Sequence, residues 1–325
     1  MSGTSLLLVL SVIASTFLTI VLTPPLRRLG ERLNIIDNPN ERKQHKKPLV
    51  RIGGIAIFIG FFLALLFSIV LSGDWLSILN YKIFLIAIGG AFSFFLIGLF
   101  DDLFEISPFY RLFFQVLLAI ILWGFDIRVQ VIDLSWLSSN IEIISIPDFF
   151  SLLITVIWIV GVTNSINWLD GLDGLASTIL SINSIALIII CLSFNNYLFA
   201  LYSAALLGSS LGFLRYNCQP ALILMGDCGS YFLGFSLSII SIIGLSKENL
   251  GLNPLLALLI LFIPLADMVF VILNRLKSGR SPFHPDRSHI HHRMLAKGIS
   301  LNKSLLTICS GSLCSSSLAL FIALK

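Results

Sequence analysis

Apolar residues are gathered in long runs along this chain, and short polar segments separate the runs. A helix needs about 20 apolar residues to cross the hydrocarbon core of a bilayer, and ten runs approach that length. They cover residues 5–23, 53–72, 83–100, 108–125, 149–166, 174–192, 197–214, 229–246, 254–274 and 303–323. The pattern predicts an all-α integral membrane protein with about ten transmembrane helices, built as a single domain over residues 1–325.

Composition narrows the class of protein further. Of the 325 residues, 57% are hydrophobic and 12% are charged, and the mean hydropathy is +0.97. Soluble domains carry roughly 25% charged residues, so the composition excludes an ordinary soluble domain. The five cysteines are scattered without a C-x-x-C pair, and we expect reduced thiols rather than a zinc site or a disulfide framework.

Basic residues set the orientation of the predicted spans. With alternate loops on opposite sides, 17 of the 21 lysines and arginines fall on one side and four on the other. The positive-inside rule makes the richer side cytoplasmic, as expected for a multi-pass protein of the plasma or inner membrane. On the other side, Val129–Leu134 and Ile141–Ile146 alternate loosely, and they predict a small extracytoplasmic β-hairpin.

Two acidic motifs lie at predicted helix ends on the cytoplasmic side. Asp101 and Asp102 close the third run, with Glu105 after them, and Asp227 stands between glycines in M-G-D-C-G-S before the eighth run. Adjacent carboxylates repel each other, and Mg²⁺, which prefers oxygen ligands, would neutralise them. The alternatives are a solvated helix end for the pair and a helix N-cap for Asp227. Taken together, the motifs favour a metal site.

A third polar motif, N-S-I-N-W-L-D-G-L-D-G, closes the fifth run. It repeats an amide or a carboxylate at every third position: Asn164, Asn167, Asp170 and Asp173. An ideal helix would carry the first and last of these to different faces. We therefore expect Gly171 and Gly174 to break the helix and to let the chain bend around a ligand. A polar turn without a ligand is the alternative.

Four of the five histidines lie within nine residues of the last cytoplasmic loop, in H-P-D-R-S-H-I-H-H. Arginine and histidine side chains together suit phosphate oxygens. The candidate phosphate-binding residues are Arg287, His289, His291 and His292. Zinc binding is the alternative, but the loop lacks a cysteine or an H-E-x-x-H partner.

A basic loop precedes the second run and ends in R-I-G-G. Its candidates for ligand binding are His45 and Lys47, and Gly53 and Gly54 would let the backbone approach a ligand closely. The alternative is that the loop only binds anionic lipid headgroups and fixes the topology.

These five motifs, in this order and spacing, resemble the polyprenyl-phosphate N-acetylhexosamine-1-phosphate transferase family, which is glycosyltransferase family 4. The resemblance runs from about Asp37 to His292. The forms R-K-x-H…G-G and H-I-H-H look closer to the bacterial undecaprenyl-phosphate GlcNAc-1-phosphate transferases than to the phospho-MurNAc-pentapeptide transferases, which stay an alternative. The resemblance implies a phosphotransferase that moves N-acetylhexosamine 1-phosphate from a UDP-sugar to a polyprenyl phosphate and releases UMP. This would be the first membrane step of cell-envelope polysaccharide synthesis.

The resemblance also implies roles for individual residues. Asn167 and Asp227 match metal-ligand positions, and Asp101 and Asp102 match a catalytic pair. Of the pair, we choose Asp101 to deprotonate or orient the lipid phosphate, and a covalent aspartyl intermediate stays an alternative. Substrate-binding positions are implied for Asp170, Asp173, Arg287, His289, His291, His292, Lys47 and His45.

The implied cofactor is Mg²⁺, with Mn²⁺ as a substitute. The implied partners are a UDP-N-acetylhexosamine, a polyprenyl phosphate and membrane lipid, with no nucleic acid, and a homodimer is left open. The rival from another class is an ion-coupled transporter of lipids or solutes, which would place ionisable groups near the bilayer midplane. Only Asp267 lies well inside a predicted span, so the rival is disfavoured.

Overall fold

The computed structural model describes residues 3–39, 47–72, 81–133, 143–245, 251–281 and 286–325. Helices make up most of these residues, and a helix or a pair of helices coincides with each predicted apolar run. Their bounds are α1 Gly3–Arg32, α2 Gly54–Ser72, α3 Tyr81–Phe104, α4 Pro108–Gly124, α5 Asp148–Leu169, α6 Leu175–Ser193, α7 Tyr197–Asn217, α8 Gly226–Ile239, α9 Pro254–Ile260, α10 Phe262–Lys277, α11 Ile290–Ala296 and α12 Leu301–Ala323. A π-helical turn, Ile240–Gly244, extends α8. The predicted all-α membrane architecture is confirmed.

The number of full-length spans is smaller than predicted. In the described ranges, eight helices are long and apolar enough to cross a membrane: α1, α2, α3, α5, α6, α7, α8 with its π-helical turn, and α12. Helix α4 is apolar but has only 17 residues, and at about 1.5 Å per residue it is shorter than a hydrocarbon core of about 30 Å. Helices α9 and α10 meet at an angle of 83° and together make at most one more span.

The break between α9 and α10 has a local cause. Pro264 lies in the first turn of α10. It has no N–H to give to the carbonyl of Ile260, and its ring would clash with that carbonyl in a continuous helix. At Leu261 the backbone leaves helical geometry, with φ −95° and ψ 16°. The predicted span 254–274 is therefore two helices, and the second one carries polar residues toward the candidate site.

Helices α7 and α8 are the most enclosed part of the bundle. Helices α1 and α6 pack on α7, and α3 and α5 pack on α8. The α1–α7 contact is close because Gly208 and Gly212 have no side chain: a Cβ at Gly208 would lie 2.8 Å from Cβ of Ser15. The Ser15 hydroxyl donates to the carbonyl of Ala205 at 2.8 Å. Small residues and interhelical hydroxyl bonds are the usual basis of helix association in lipid.

Two small sheets flank the bundle. Strands β1 (Ile36–Asp37) and β2 (Leu49–Val50) pair antiparallel before α2. Strands β3 (Val131–Asp133) and β4 (Ile143–Ser145) also pair antiparallel, which confirms the predicted hairpin, although its residues 134–142 lie outside the described ranges. Strand β5 (Gly251–Leu252) adds to β3 in parallel, and the sequence pattern did not predict this third strand.

Candidate active site

Four helix ends meet on one side of the bundle: the C-terminal ends of α3 and α5 and the N-terminal ends of α4 and α8. Arg111, in the first turn of α4, joins them. Its Nη1 atom donates to Oδ2 of Asp101 at 2.7 Å and to Oδ2 of Asp227 at 2.6 Å. Charge-assisted bonds of this length are strong when the groups are partly buried. One guanidinium therefore holds carboxylates from α3 and α8 next to each other.

Asp102 plays a different part from its neighbour Asp101. Its buried carboxylate accepts the backbone N–H of Asp227 at Oδ1 and that of Cys228 at Oδ2, both at 2.9 Å. The first N–H groups of a helix have no partner within the helix, and its N-terminus favours negative charge. Asp102 therefore caps α8 from outside and fixes the helix that carries Asp227. Asp101 is the member of the pair that faces Arg111.

Gly226 allows α8 to begin against this carboxylate. Its φ of +73° is costly for a residue with a side chain. A Cβ at Gly226 would lie 2.6 Å from Oδ2 of Asp102 and would also clash with the carbonyl oxygen of Arg51. At Gly98 of α3, a Cβ would lie 2.5 Å from the backbone nitrogen of Cys228. Glycines on two helices thus bring α3 and the start of α8 into contact.

The predicted close backbone approach at Gly53 and Gly54 is present, but its partner is protein. The Gly53 N–H donates to the carbonyl of Leu224 at 3.0 Å, and the Gly54 N–H donates to that of Met225 at 2.8 Å. The glycine pair holds the segment that leads into α8, so it acts on Asp227 through the backbone.

Asn167 extends the carboxylate network onto α5. Its Nδ2 atom donates to Oδ1 of Asp227 and to the hydroxyl of Ser230, each at 2.9 Å. One turn earlier, Asn164 donates to Oε1 of Gln115 on α4 at 2.6 Å. Both amides therefore tie α5 to its neighbours at the level of Arg111.

The chain turns sharply after α5, as the D-G-L-D-G sequence predicts. Gly174 has φ +75° and precedes α6. Burial raises the pKa of the Asp170 carboxyl well above its usual range, and the carboxylate of Asp227 adds to the effect. Oδ2 of Asp173 accepts the backbone N–H of Ala221 at 2.9 Å. Asp170 therefore lies within electrostatic range of Asp227, whereas Asp173 holds the turn that follows α7.

The histidine segment reaches this network from α10. Nδ1 of His289 lies 2.8 Å from Oδ2 of Asp267. Arg275 makes two hydrogen bonds to Asp286, at 3.1 and 2.8 Å, and its guanidinium lies 5.1 Å from the ring centre of Trp168. Burial alone would raise the pKa of Asp286, but the hydrogen bonds from Arg275 and Ser288 and the charge of Arg275 together outweigh it and hold that pKa well below its usual range. Asp286 is therefore anionic at neutral pH.

His291 is buried against the turn after α5. A Cβ at Gly171 would lie 2.5 Å from Cε1 of His291, and neither ring nitrogen has a hydrogen-bond partner among the described residues. Burial, followed by the neighbouring His292 and His289, lowers the pKa of His291 to about 3. Burial also lowers the pKa of His292, and Arg287 is exposed. His291 is therefore a neutral ring packed at the base of the segment.

A cavity of about 710 Å³ lies between α4, α5 and α10. One end of it is polar and is lined by Arg111, Asn164, Asn167, Arg275, Asp286 and His289. The rest is apolar and is lined mainly by Leu112, Val116, Val160, Met268 and Ile272. Because its walls come from membrane-embedded helices, the cavity suits a molecule with a charged head and an apolar tail.

Comparison with known proteins decides the family. The sequence profile described as glycosyl transferase family 4 matches residues 83–245, which is half of the chain and runs from α3 to the end of the π-helical turn. The chain belongs to glycosyl transferase family 4.

Relatives support this membership over most of the chain. A probable undecaprenyl-phosphate N-acetylglucosaminyl 1-phosphate transferase of Bacillus subtilis is 34% identical over 93% of this chain and 81% of its own length. An undecaprenyl-phosphate alpha-N-acetylglucosaminyl 1-phosphate transferase of Pasteurella multocida is 32% identical over 90% and 79%. A decaprenyl-phosphate N-acetylglucosaminephosphotransferase of Mycobacterium tuberculosis is 30% identical over 91% and 78%. With its apolar helices, this member of the family is a multi-pass membrane protein.

Most of the family positions that the sequence motifs indicate lie together. Asp101, Asp227 and Asn167 share one hydrogen-bonded network, and His289 lines the same cavity as Asn167. Lys47 is exposed and is not part of the described cavity wall. His45 lies outside the described residues.

Arg111, Arg275 and Asp267 are polar residues of the site that stand outside the five sequence motifs. In the sequence, Arg111 and Arg275 served only as positive charges that orient the spans. Asp267 was noted only as an acid inside a predicted span. A signal was available for Arg111 and Asp267, which lie inside predicted apolar runs. An ionisable residue in such a run is costly and indicates function. The pairing of Asp267 with His289 joins side chains 22 positions apart, and the hydropathy pattern does not show it.

The carboxylates suit a divalent cation in part. Within the described residues, no three aspartate, glutamate, histidine or cysteine side chains are placed to share an ion. Asp101 and Asp227 nevertheless direct one oxygen each at the same cationic nitrogen of Arg111. Two converging carboxylate oxygens beside an amide are ligands that Mg²⁺ accepts, usually with substrate phosphates and water completing the set. The two carboxylates and the amide therefore supply the oxygen chemistry of part of a Mg²⁺ site.

Proposed function

We propose that this chain transfers N-acetylhexosamine 1-phosphate, and GlcNAc 1-phosphate in particular, from a UDP-sugar to a polyprenyl phosphate. The products are polyprenyl-diphosphate-N-acetylhexosamine and UMP. The observation that carries the proposal is the cavity, whose apolar walls end at Arg111 and Asn167, next to Asp101 and Asp227. The names of its relatives, which describe transfer of N-acetylglucosaminyl phosphate to undecaprenyl or decaprenyl phosphate, support the same assignment.

The reaction is a phosphoryl transfer in which the protein mainly positions charges. An oxygen of the lipid phosphate attacks the β-phosphorus of the UDP-sugar. The bond between this phosphorus and the oxygen that bridges to the α-phosphate breaks, and UMP leaves with that oxygen. Asp101 would orient the lipid phosphate or take its proton, and Arg111 would bind phosphate oxygens with the N–H groups that its carboxylate partners leave free.

Mg²⁺ is part of this proposal. Asp227 and Asp101 would hold it, and Asn167 could join with its amide oxygen after rotation of the side chain. Bound Mg²⁺ would neutralise negative charge on the diphosphate oxygens. Asp102 serves this arrangement indirectly because it caps the helix that carries Asp227.

The protein lies in the plasma or inner membrane in this proposal, and its active site faces the cytoplasm. The excess of basic residues on the same side of the chain supports this orientation. It also suits the two substrates, since a nucleotide sugar is water-soluble and the polyprenyl tail needs lipid.

The test uses the purified full-length chain in lipid nanodiscs with undecaprenyl phosphate and UDP-GlcNAc, and UDP-MurNAc-pentapeptide as the competing donor. UMP and lipid-linked sugar should form in equal amounts with UDP-GlcNAc, and EDTA should stop the reaction until Mg²⁺ is restored. Asp227→Ala should lower kcat by on the order of 10³-fold, because charge stabilisation of a transferring phosphoryl group is a large part of such catalysis. Asp148 lies at the opposite end of α5 from Asn167. Asp148→Ala is therefore the matched control, and its kcat should equal that of the wild type.

Three kinds of result would count against the proposal. Formation of UMP without a lipid acceptor would indicate a hydrolase, and full activity in EDTA or in Asp227→Ala would remove the metal assignment. No reaction with either donor, from folded protein, would refute the transferase assignment itself.

A further inference from the structure

Asp267 is a buried acid that the proposed reaction does not use. It lies in α10, one to two turns after the break at Leu261, and its side chain is only 3% exposed. A carboxylate in such a place is costly unless it is hydrogen-bonded or paired. Its function therefore has to be sought in its contacts.

The Asp267 carboxylate contacts the histidine segment, residues 286–293. Oδ2 lies 2.8 Å from Nδ1 of His289, and Oδ1 accepts the backbone N–H of Ile290 at 2.6 Å. Arg293 is farther away, with Nη2 at 3.9 Å from Oδ1. One carboxylate thus fixes both the ring of His289 and the first residue of α11.

The His289 ring is held on its other sides too. The ring of Trp168 meets it edge-on at 5.7 Å between centres, and the ring of His291 is parallel to it at 5.8 Å. Trp168 directly follows Asn167, so this contact ties the histidine to the network around Asp227. Nε2 of His289 makes no hydrogen bond to any described residue, and the ring lines the polar end of the cavity.

An anionic acceptor at Nδ1 determines which nitrogen of an imidazole is available to a ligand. With Asp267 accepting at Nδ1, this nitrogen carries a proton, and Nε2 is the nitrogen that meets whatever occupies the cavity. The arrangement is the one found where a carboxylate orients a functional histidine without touching the substrate itself.

We propose that Asp267 is a positioning residue that orients His289 toward the phosphate groups of the substrates. The proposal rests on the proposed function, because those phosphates belong to the nucleotide sugar and the polyprenyl phosphate. Asp267 acts through His289 and has no contact with the reacting atoms.

The substitution Asp267→Asn separates this role from simple helix capping. Asparagine keeps an oxygen that can accept the Ile290 N–H, so a capping role would survive. It replaces the acceptor beside Nδ1 with an N–H donor, so the ring must present Nδ1 as the acceptor and carry its proton on Nε2. Orientation and protonation of His289 are then changed, while the shape and volume of the buried side chain are kept.

The experiment measures kcat and KM for UMP formation in Asp267→Asn, His289→Ala and the double variant, with thermal unfolding of each. We expect Asp267→Asn to lower kcat/KM by about 10- to 100-fold, the range typical of groups that orient a functional histidine, with an unchanged Tm. In the His289→Ala background, Asp267→Asn should cause little further loss, because the residue through which it acts is gone. Asp148→Asn serves as the control for an aspartate-to-asparagine change elsewhere.

A second readout does not depend on activity. In protein labelled with ¹⁵N-histidine, the His289 signals are identified by their loss in His289→Ala. In Asp267→Asn these signals should shift to the values of the other imidazole tautomer, and the signals of the other histidines should shift less. The proposal would be overturned if the activity losses of the two single variants multiplied in the double variant. Unchanged activity in Asp267→Asn, or failure of that variant to fold, would overturn it as well. A wild-type protein that forms no UMP would refute the proposed function instead, and the ¹⁵N signals would still decide the orientation of His289.

Discussion

Two arginines in this protein each lie between two aspartates, at opposite ends of α4. Arg111, at the start of the helix, is bonded to Asp101 and Asp227 at 2.7 and 2.6 Å. Arg128 follows the helix and lies 3.1 Å from Asp126 and 3.5 Å from Asp148. The two arginine side chains are equally exposed, at 23% and 22%. The same three charges therefore occur in both places.

The acids make the difference between the two clusters. Asp101 and Asp227 are 13% and 22% exposed, whereas Asp126 and Asp148 are 53% and 80% exposed. Water can solvate the second pair without the arginine, and exposed ion pairs contribute only about 0–1 kcal/mol. The first pair is partly withdrawn from water, so each carboxylate depends on a cation held close to it.

Structure around the first cluster keeps its acids in that costly position. Asp227 begins a helix that Asp102 caps and that glycines on α2 and α3 approach closely. Arg128 is supported by surface contacts, its guanidinium 5.2 Å from the ring centre of Trp123 and within hydrogen-bond distance of the side-chain amide of Gln130. Two clusters with the same charges therefore differ in how closely the surrounding helices enclose and hold them. This contrast points to the Arg111 end of α4 as the place of chemistry.

The sharpest way to test the contrast is to remove Arg111. Arg111→Ala should lower kcat for UMP formation by about 10²- to 10³-fold, equivalent to roughly 3–4 kcal/mol of transition-state stabilisation. It leaves Asp101 and Asp227 without the cation they share, and their repulsion should also lower the free energy of unfolding. Steady-state kinetics and thermal unfolding in nanodiscs measure the two effects.

Addition of Mg²⁺ extends this test. If Asp101 and Asp227 are the groups that hold the ion, Mg²⁺ should raise the Tm of Arg111→Ala more than it raises that of the wild type, because the variant lacks a competing cation. Arg111→Lys, which keeps the charge but not the planar guanidinium, should lie between the two proteins in activity. Equal activity of wild type and Arg111→Ala would show that the short contacts have no catalytic role.

A second way to test it is to disturb the helix start beneath the site. Gly226→Ala adds a Cβ that would lie 2.6 Å from Oδ2 of Asp102, at a φ of +73°. Gly298→Ala is the matched control, because its φ is +79° and nothing lies within 4 Å of the added Cβ. The control should lose only the backbone term of about 1 kcal/mol, whereas Gly226→Ala should lose about 2–4 kcal/mol, as overpacking adds to it.

Thermal unfolding of both variants separates the two terms. A larger loss in Gly226→Ala, accompanied by lower activity, means that the close packing of Asp102 and the Arg51 carbonyl against Gly226 fixes the position of Asp227. Equal Tm values for the two variants would mean that the start of α8 can move freely, and the predicted dependence of Asp227 on its cap would then be wrong.

The sequence predicted one cluster as functional and left the other without chemistry, for identifiable reasons. Asp101, Asn167 and Asp227 stand in motifs at helix ends, and the count of basic residues placed all three on one side of the bilayer before any contact was known. Hydropathy also located all the described apolar helices, although not the short α11, because long apolar runs have few alternatives in lipid. These features depend on local sequence, so the chain itself displays them.

Pairings between distant helices could not be predicted in the same way. Nothing in the sequence near Arg111 indicates that its partners are 10 and 116 residues away. The pairing of Asp267 with His289 likewise joins residues 22 positions apart, and the hydropathy pattern shows neither this pairing nor the 83° bend that turns a predicted straight span into two helices. Asp101 and Asp102 look equivalent in sequence, and only the position of α8 gives them different partners.

The smallest expected effect is at the other arginine, and it completes the comparison. Arg128→Ala removes a charge with two acidic neighbours, as Arg111→Ala does, but the acids it leaves are exposed to water. We expect activity within about twofold of wild type and a loss of stability below about 1 kcal/mol, part of it from the contact with Trp123. Raising the salt concentration should reduce this loss further, since exposed ion pairs are screened. If Arg128→Ala instead abolished UMP formation in folded protein, ion-pair burial would not be what distinguishes the two ends of α4, and the assignment of the site to the Arg111 end would lose its physical basis.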